Sequence, residues 1–183
     1  MENPCKSCTF IIGVDCFDIC DKYRVWEPIN TGLVVVAGGF DPLHLGHLEH
    51  IRRAKSLGGK LVVITHPDSI LIQKKGYCLL PLKDRTEILS ALRCVDGVLV
   101  SIDTDGTVAK TLDFLRPDVF AKGGDRTPDS MPQSEVDMCK KIGCQIVYGI
   151  GEKLGSSQDY VRNAAQAIYA NQSGQKTYML GVR

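Results

Sequence analysis

The chain lacks the features of a secreted, membrane-spanning or nucleic-acid-binding protein. Its 183 residues carry 22 Lys and Arg against 21 Asp and Glu, for a formal net charge of +1, and no block of like charge stands out. Partners such as nucleic acids need clustered positive charge. The chain opens without a basic and apolar leader, and no apolar run approaches membrane-spanning length. We therefore expect a cytoplasmic protein with small-molecule partners, no nucleic acid and no membrane.

The composition is that of an ordinary globular protein. Apolar residues make up 44% of the chain, and its length is sufficient for one domain with a hydrophobic core. We predict an N-terminal appendage at residues 1–32, one domain at 33–172 and a short tail at 173–183.

Eight cysteines without an export signal are more typical of buried thiols or metal ligands than of disulfides. Cys5, Cys8, Cys16 and Cys20 fall close together in the appendage and supply enough thiolates for a tetrahedral Zn²⁺. The spacing between the two pairs is short for a zinc ribbon. The alternative is that the appendage packs onto the domain, with cysteine as a small apolar residue.

Buried-strand patterns alternate with helical patterns along the domain. The predicted strands are residues 33–37, 60–65, 98–102, 118–121 and 145–148. The predicted helices are residues 45–57, 83–95, 107–115, 134–142 and 157–170, with a longer loop around Lys74 and Lys75. Unbroken Val/Ile/Leu strands separated by helices are typical of a parallel sheet covered on both faces. The predicted fold class is α/β: a doubly wound, Rossmann-like, five-stranded parallel sheet with helices on both faces and a short Cys-containing N-terminal appendage.

The first strand-to-helix turn carries the clearest chemical signal. Gly38 and Gly39 remove side chains where the strand ends, which lets a phosphate approach backbone amides and the positive end of the next helix. His44 and His47 are three residues apart at the helix start and therefore face the same way, with Gly46 leaving space beside them. A single histidine at such a position commonly caps or solvates the helix, and we interpret His50 and His66 in that way. The combination of strand, Gly-Gly, Phe-Asp and paired histidines instead predicts a phosphate site.

The segment GGFDPLHLGH at residues 38–47 closely resembles the G-x-F-D-x-x-H-x-G-H signature of the cytidylyltransferase-like nucleotidyltransferases. The resemblance covers roughly residues 33–164 and is closest to ADP-heptose synthase adenylyltransferase domains and glycerol-3-phosphate cytidylyltransferases. It implies transfer of AMP or CMP from ATP or CTP to a phosphosugar or phosphoalcohol, with Mg²⁺ bound to the nucleotide and pyrophosphate released. The partners implied are a nucleoside triphosphate and a small phosphomonoester.

The resemblance also assigns roles to residues. It implies that His44, His47 and Lys75 are catalytic. The nucleotide-binding residues that it implies are Gly38, Gly39, Phe40, Asp41, Gly46, Lys122, Gly123, Gly124, Asp125, Ser156 and Ser157. Asp68 and Arg85 are implied to bind substrate, although Arg85 could equally be a surface residue of its helix. Asp41 and Asp68 could also touch the Mg²⁺, without forming a protein metal cage.

Two segments bear on the choice of nucleotide. Residues 122–125 (KGGD) look like the corresponding segment of the ADP-heptose synthase group and mildly favour ATP. After Ser156 and Ser157 the usual threonine is replaced by Gln158, and the Arg-Thr that often precedes the motif is absent, with Lys153 and Arg162 as candidates for the missing cation. This departure leaves the triphosphate contacts open.

Residues 93–98 (RCVDGV) resemble a dimer-interface segment of the glycerol-3-phosphate enzymes, with Cys94 in place of an aromatic residue. A homodimer is therefore expected. Two alternatives stay open: a strict cytidylyltransferase of the glycerol-phosphate type, and a catalytically silent module that binds nucleotide and senses metal or redox state.

Overall fold

The computed structural model of the protein describes residues 32–124, 126–151 and 154–172. The proposed zinc ligands Cys5, Cys8, Cys16 and Cys20 lie outside the described residues, as do Asp125, Lys153 and the tail at 173–183.

Five strands form one parallel sheet at the centre of the fold. They are β1 (Leu33–Gly38), β2 (Lys60–Thr65), β3 (Gly97–Val100), β4 (Val119–Gly123) and β5 (Gln145–Ile150). Their order across the sheet is β3-β2-β1-β4-β5, so the chain winds outward from β1 in both directions. The first strand is central because its run of valines is buried on both faces.

Among the described residues, five α-helices and one 3₁₀ turn lie between strands, and a sixth helix follows β5. The helices are α1 (Leu45–Lys55), α2 (Asp68–Lys75), α3 (Leu82–Ser90), α4 (Ala109–Leu115), α5 (Gln133–Ile142) and α6 (Ser157–Gln172), and the 3₁₀ turn is Pro128–Ser130. Among these described helices, none is long and apolar enough to cross a membrane.

Side-chain alternation along the strands builds a core on each face of the sheet. On one face Val34 and Val36 pack with Ile51 of α1 and Leu89 of α3. On the other face Val35 packs with residues of α4 and α5, among them Leu112 and Cys139. The predicted α/β fold with helices on both faces is confirmed.

Two local predictions are wrong. The loop expected around Lys74 and Lys75 is a helix, α2, which Gly76 ends in a left-handed conformation at φ 81°. The helix expected at 83–95 ends at Ser90. In both cases short apolar stretches carry a weak periodic signal, and tertiary packing decides which residues face the core.

Candidate active site

A cavity of about 390 Å³ opens at the carboxyl edge of the sheet. Segments that follow β1, β4 and β5 converge there, as expected for a parallel α/β sheet. The sequence-predicted residues that line it are His44, Gly46, His47, Lys75, Gly123, Gly124, Ser156 and Ser157. The structure therefore brings together residues that are up to 113 positions apart in the sequence, counting from His44 to Ser157.

The turn after β1 packs closely against α1 and α2. Phe40 is buried at 3% exposure with φ 50°, and its ring meets the His47 ring edge-on at a centroid distance of 5.1 Å. A Cβ added at Gly39 would lie 2.6 Å from Leu71 Cδ2 of α2. A side chain at position 39 would therefore displace Leu71, and glycine lets α2 pack closely against the turn.

His44 caps α1 and thereby fixes its own tautomer. Its Nδ1 accepts a hydrogen bond from the Gly46 backbone N–H at 3.1 Å. Because Nδ1 accepts, the proton of the neutral ring is on Nε2. His44 can therefore donate that proton to a ligand oxygen in the cavity.

His47 stacks on His44, with ring centroids 3.8 Å apart and an interplanar angle of 24°. Burial, followed by the charges of His44, Lys75 and His50, lowers the pKa of His47 to about 3. Burial and Lys75 also lower the pKa of His44. Both imidazoles are therefore neutral near pH 7 and act as hydrogen-bond donors rather than as cations.

Lys75 supplies a positive charge to the cavity from the end of α2. Its ammonium donates to the backbone oxygen of Asp41 at 3.3 Å. Its pKa is lowered mainly by burial, an effect that the nearby Asp41 carboxylate opposes. Among the described lining residues, Lys75 is the only Lys or Arg.

Asp41 does not face this cavity. It is fully buried, and its two carboxylate oxygens accept hydrogen bonds at 2.8 Å from the backbone N–H groups of Leu79 and Leu80. The side chain therefore ties the first turn to the segment between α2 and α3. Because it is fully buried, it makes no direct nucleotide contact in this arrangement.

Arg85 is 1% exposed, so the alternative that it is a surface residue is wrong. Its guanidinium donates to the backbone oxygens of Gly39, His66 and Leu80 and to Thr65 Oγ1, at 2.8–3.0 Å. It also forms a salt bridge of 2.6 Å with Asp68. The structure thus brings the two predicted substrate-binding residues together, but in contact with each other and away from the lining of the cavity.

Lys122 also points away from the cavity. Its ammonium pairs with Glu135 Oε2 of α5 at 3.0 Å and lies 4.1 Å from the centroid of the Phe120 ring. The two glycines after it, Gly123 and Gly124, do line the cavity and present bare backbone there.

The start of α6 forms part of the wall of the cavity. Ser157 begins the helix, and its hydroxyl donates to the Pro42 oxygen at 3.1 Å. The backbone oxygen of Ser156 accepts from Asp159 and Tyr160. The first residues of α6 and the histidine pair therefore line the same cavity, which places the positive end of the α6 dipole at its wall.

Sequence reasoning missed several lining residues. His50 lines the cavity and forms a hydrogen bond of 2.7 Å between Nδ1 and the Ile150 oxygen, whereas His66 is buried rather than solvated. Gln158 lines the cavity as well, and the Tyr160 ring lies 5.5 Å from that of His44. The position of His50 one turn after His47 was the available signal, because residues three apart share a helix face.

No group of three or more His, Cys, Asp or Glu that could hold a metal occurs among residues 32–124, 126–151 and 154–172. The carboxylate of Asp41 is bonded to backbone amides, and that of Asp68 accepts from Arg85. These residues do not fit a Mg²⁺ site built by the protein alone.

Comparison with known proteins identifies the family to which the fold and the histidine turn correspond. Residues 35–166 match the family model described as cytidylyltransferase-like. Over 119 residues the chain is 44% identical to the bifunctional protein HldE of Streptomyces coelicolor, covering 63% of this chain and 25% of that protein. It is 42% identical over 95 residues to the FAD synthase of Thermococcus kodakarensis, covering 51% and 62%. With the FAD synthase of Pyrococcus abyssi it shares 39% identity over 114 residues, covering 62% and 75%.

Among solved structures, a lipopolysaccharide core biosynthesis protein from Thermoplasma volcanium matches with a TM-score of 0.56 and 28% identity, over 66% of this chain and 97% of that one. The chain spans about a quarter of the length of HldE and just under two thirds of the T. kodakarensis FAD synthase.

Proposed function

This chain belongs to the cytidylyltransferase-like nucleotidyltransferase family, and from that premise we propose that it transfers a nucleoside monophosphate from a nucleoside triphosphate to a phosphorylated small molecule. The observation that carries the proposal is the stacked His44–His47 pair, which lines the same cavity as the start of α6. Neutral imidazole donors, a lysine and a helix N-terminus around one cavity suit a triphosphate.

In the proposed reaction, an oxygen of the acceptor phosphate attacks the α-phosphorus of the nucleotide. The bond from that phosphorus to the bridging oxygen breaks, and pyrophosphate leaves with the electron pair. His44 Nε2–H donates to a phosphate oxygen, and the ammonium of Lys75 offsets the charge that develops on the phosphates. Such a step needs positioned donors more than a covalent nucleophile.

We also propose roles for the glycines, serines and buried charged residues around the cavity. Gly38 and Gly39 keep the turn free of side chains, while Gly123, Gly124, Ser156 and Ser157 contact the nucleotide. Asp41 and Arg85 act by positioning the loop that follows α2, since their polar atoms are occupied within the protein. Mg²⁺ is proposed to enter with the nucleotide, whose phosphate oxygens are ligands that this ion prefers.

ATP is the proposed donor. Two of the similar proteins are named FAD synthases, and FAD contains an adenosine diphosphate moiety that adenylyl transfer would build. The acceptor is proposed to be a phosphosugar or phosphoalcohol. We also propose that the protein is a cytoplasmic homodimer and that the N-terminal cysteines bind a structural zinc. Gel filtration of the purified protein tests the dimer, and metal analysis tests the zinc.

The function is tested by a screen of ATP and CTP against a panel of phosphosugars and phosphoalcohols, followed by thermal shift and by pyrophosphate release. We expect pyrophosphate release with one nucleotide and one phosphomonoester. A strict preference for CTP would favour the glycerol-phosphate type of cytidylyltransferase. Nucleotide binding without pyrophosphate release across the panel would contradict the enzyme proposal and favour a silent binding module.

A further inference from the structure

The histidine pair belongs to a row of four rings in successive contact. The Phe40 ring meets that of His47 at a centroid distance of 5.1 Å, and His47 stacks on His44 at 3.8 Å. The ring of Tyr160 then lies 5.5 Å from that of His44, at an interplanar angle of 30°. All three distances fall in or below the range typical of interacting aromatic pairs, about 4.5–7 Å. His44 therefore contacts rings from two separate segments, the start of α1 and the first turn of α6.

The first turn of α6 is placed beside the turn after β1 by further contacts. Ser157 donates to the Pro42 oxygen at 3.1 Å, and Tyr160 lies three residues later, on the same side of the helix. A Cβ at Gly155 would lie 3.1 Å from Tyr160 Cε2, so the tyrosine ring rests directly against this glycine. The segment thus meets the turn after β1 through one hydrogen bond and one pair of rings.

Tyr160 does not occur among the described residues that line the cavity. It is 41% exposed, so it is also not a residue of the hydrophobic core. Its ring instead contacts His44, which does line the cavity. Any effect of Tyr160 on a ligand in the cavity is therefore exerted through His44.

The orientation of the His44 ring depends on its neighbours. The torsion that rotates an imidazole about its bond to Cβ has broad minima, so the side chain alone does not fix the plane of the ring. The hydrogen bond from the Gly46 N–H holds Nδ1, at one edge of the ring. The contacts with the rings of His47 and Tyr160 restrict its tilt. Because Nε2 lies at the far side of the ring from Cβ, a tilt changes the direction in which its N–H points.

We propose that Tyr160 is a positioning residue, whose ring keeps the His44 imidazole in the plane that directs Nε2–H into the cavity. This inference rests on the proposed function, in which that N–H donates to a phosphate oxygen. A hydrogen bond weakens as its angle departs from linearity, so a tilted ring is a poorer donor. The first turn of α6, which carries the proposed nucleotide contact Ser157, thereby also sets the direction of the donor.

The first test observes His44 directly, by ¹⁵N NMR of the histidine-labelled full chain at about pH 8, where neutral imidazole predominates. The chain has only four histidines, and the signals of His44 are those missing from His44→Asn. We expect wild type to show one tautomer, with the proton on Nε2. In Tyr160→Leu both ring nitrogens should shift toward the average of the two tautomers, because a loosened ring no longer keeps Nδ1 on the Gly46 N–H.

Two variants serve as controls for the loss of the ring. Tyr160→Phe keeps the ring and removes only the hydroxyl, so it should retain the wild-type spectrum. Tyr169→Leu makes the same exchange on the same helix at a position that is 75% exposed, and it should also leave His44 unchanged.

The second test measures pyrophosphate release with ATP and the phosphomonoester found active in the screen. Tyr160→Leu should lower kcat by about three- to tenfold, the factor that corresponds to one aromatic pair, with an unchanged KM for ATP. This loss is smaller than that expected when the donor itself is removed, roughly 10²- to 10³-fold. Tyr160→Phe and Tyr169→Leu should turn over at the wild-type rate.

A wild-type His44 spectrum in Tyr160→Leu would overturn the positioning role. An equal fall in kcat for Tyr160→Phe would assign the effect to the hydroxyl, and an equal fall for Tyr169→Leu would assign it to α6 as a whole; either result contradicts the proposal. A raised KM with an unchanged kcat does so too, since it would make Tyr160 a binding residue. Failure of the proposed function is read separately, as absence of pyrophosphate release from wild type, and the spectra alone then decide whether Tyr160 orients His44.

Discussion

The imidazoles of His44 and His47 lie stacked at 3.8 Å, and the first of them also caps its own helix through a hydrogen bond from Gly46. One side chain thus combines a structural and a proposed chemical role. The two roles use different nitrogen atoms, Nδ1 for the cap and Nε2 for the ligand, and can therefore be separated by mutation.

Replacing His44 by asparagine should separate them. Asparagine is a good N-cap, so its side-chain oxygen keeps a hydrogen bond at the start of α1, while the imidazole donor is lost. We expect turnover to fall by roughly 10²- to 10³-fold with an unchanged melting temperature. His44→Ala should show the same fall in turnover and an additional loss of about 1 kcal/mol in stability. Pyrophosphate release at wild-type rates in the asparagine variant would contradict the donor role.

Gly46 leaves little room beside His44. A Cβ at this position would lie 3.1 Å from His44 Cε1, so the ring must move by a few tenths of an ångström. Alanine also favours the helix by about 0.5–1 kcal/mol over glycine. Gly46→Ala should therefore lower turnover without lowering the melting temperature. Gly97→Ala is the matched control, since its Cβ would meet Val62 at an ordinary 3.5 Å; a similar loss of turnover there would point to a general effect of added side chains.

Substitution of Arg85 tests whether this residue positions the surrounding loops or binds substrate. Because its guanidinium is buried and hydrogen-bonded to three backbone oxygens, Arg85→Met leaves buried acceptors and Asp68 without partners. We expect a loss of about 3–5 kcal/mol in the free energy of unfolding, measured with urea. A variant of wild-type stability with a raised KM for the acceptor would instead show that Arg85 binds substrate.

The stability of the protein should fall on acidification, in part through His47. Its pKa is about 3 in the folded protein against an ordinary 6.5 when unfolded, so the unfolded chain binds a proton first as the pH falls. The contribution is fully present above about pH 6.5 and is lost progressively between pH 6.5 and 3. Urea unfolding from pH 7.5 to 4.5 should show a shallower decline for His47→Asn than for wild type. Parallel declines would mean that the histidine is not held neutral by burial.

The local pattern of the sequence was sufficient for the strands and for the histidine turn. β1 is an unbroken run of valines between turn residues, and such a run is buried wherever a parallel sheet forms. The paired histidines lie within one helical turn of each other, so their common direction follows from helix geometry alone.

Other assignments depended on contacts between distant segments. Arg85 and Lys122 carry charges that a sequence suggests are available to a ligand, but the fold pairs them with Asp68 and Glu135. The helix α2 has too short an apolar pattern to predict, and packing of Leu71 against Gly39 fixes its place.

By itself, the sequence determined the parallel α/β sheet, the edge at which the cavity opens and the histidine pair, because each depends on periodicity or on spacing within a few residues. Only the tertiary structure decided which charged side chains face the cavity and which form ion pairs inside the protein. It also decided that Lys75 lines the cavity whereas its neighbour Lys74 donates to the backbone oxygen of Gly106. The direction of a side chain from a helix end depends on what packs against it, and those neighbours come from strands and loops remote in the chain.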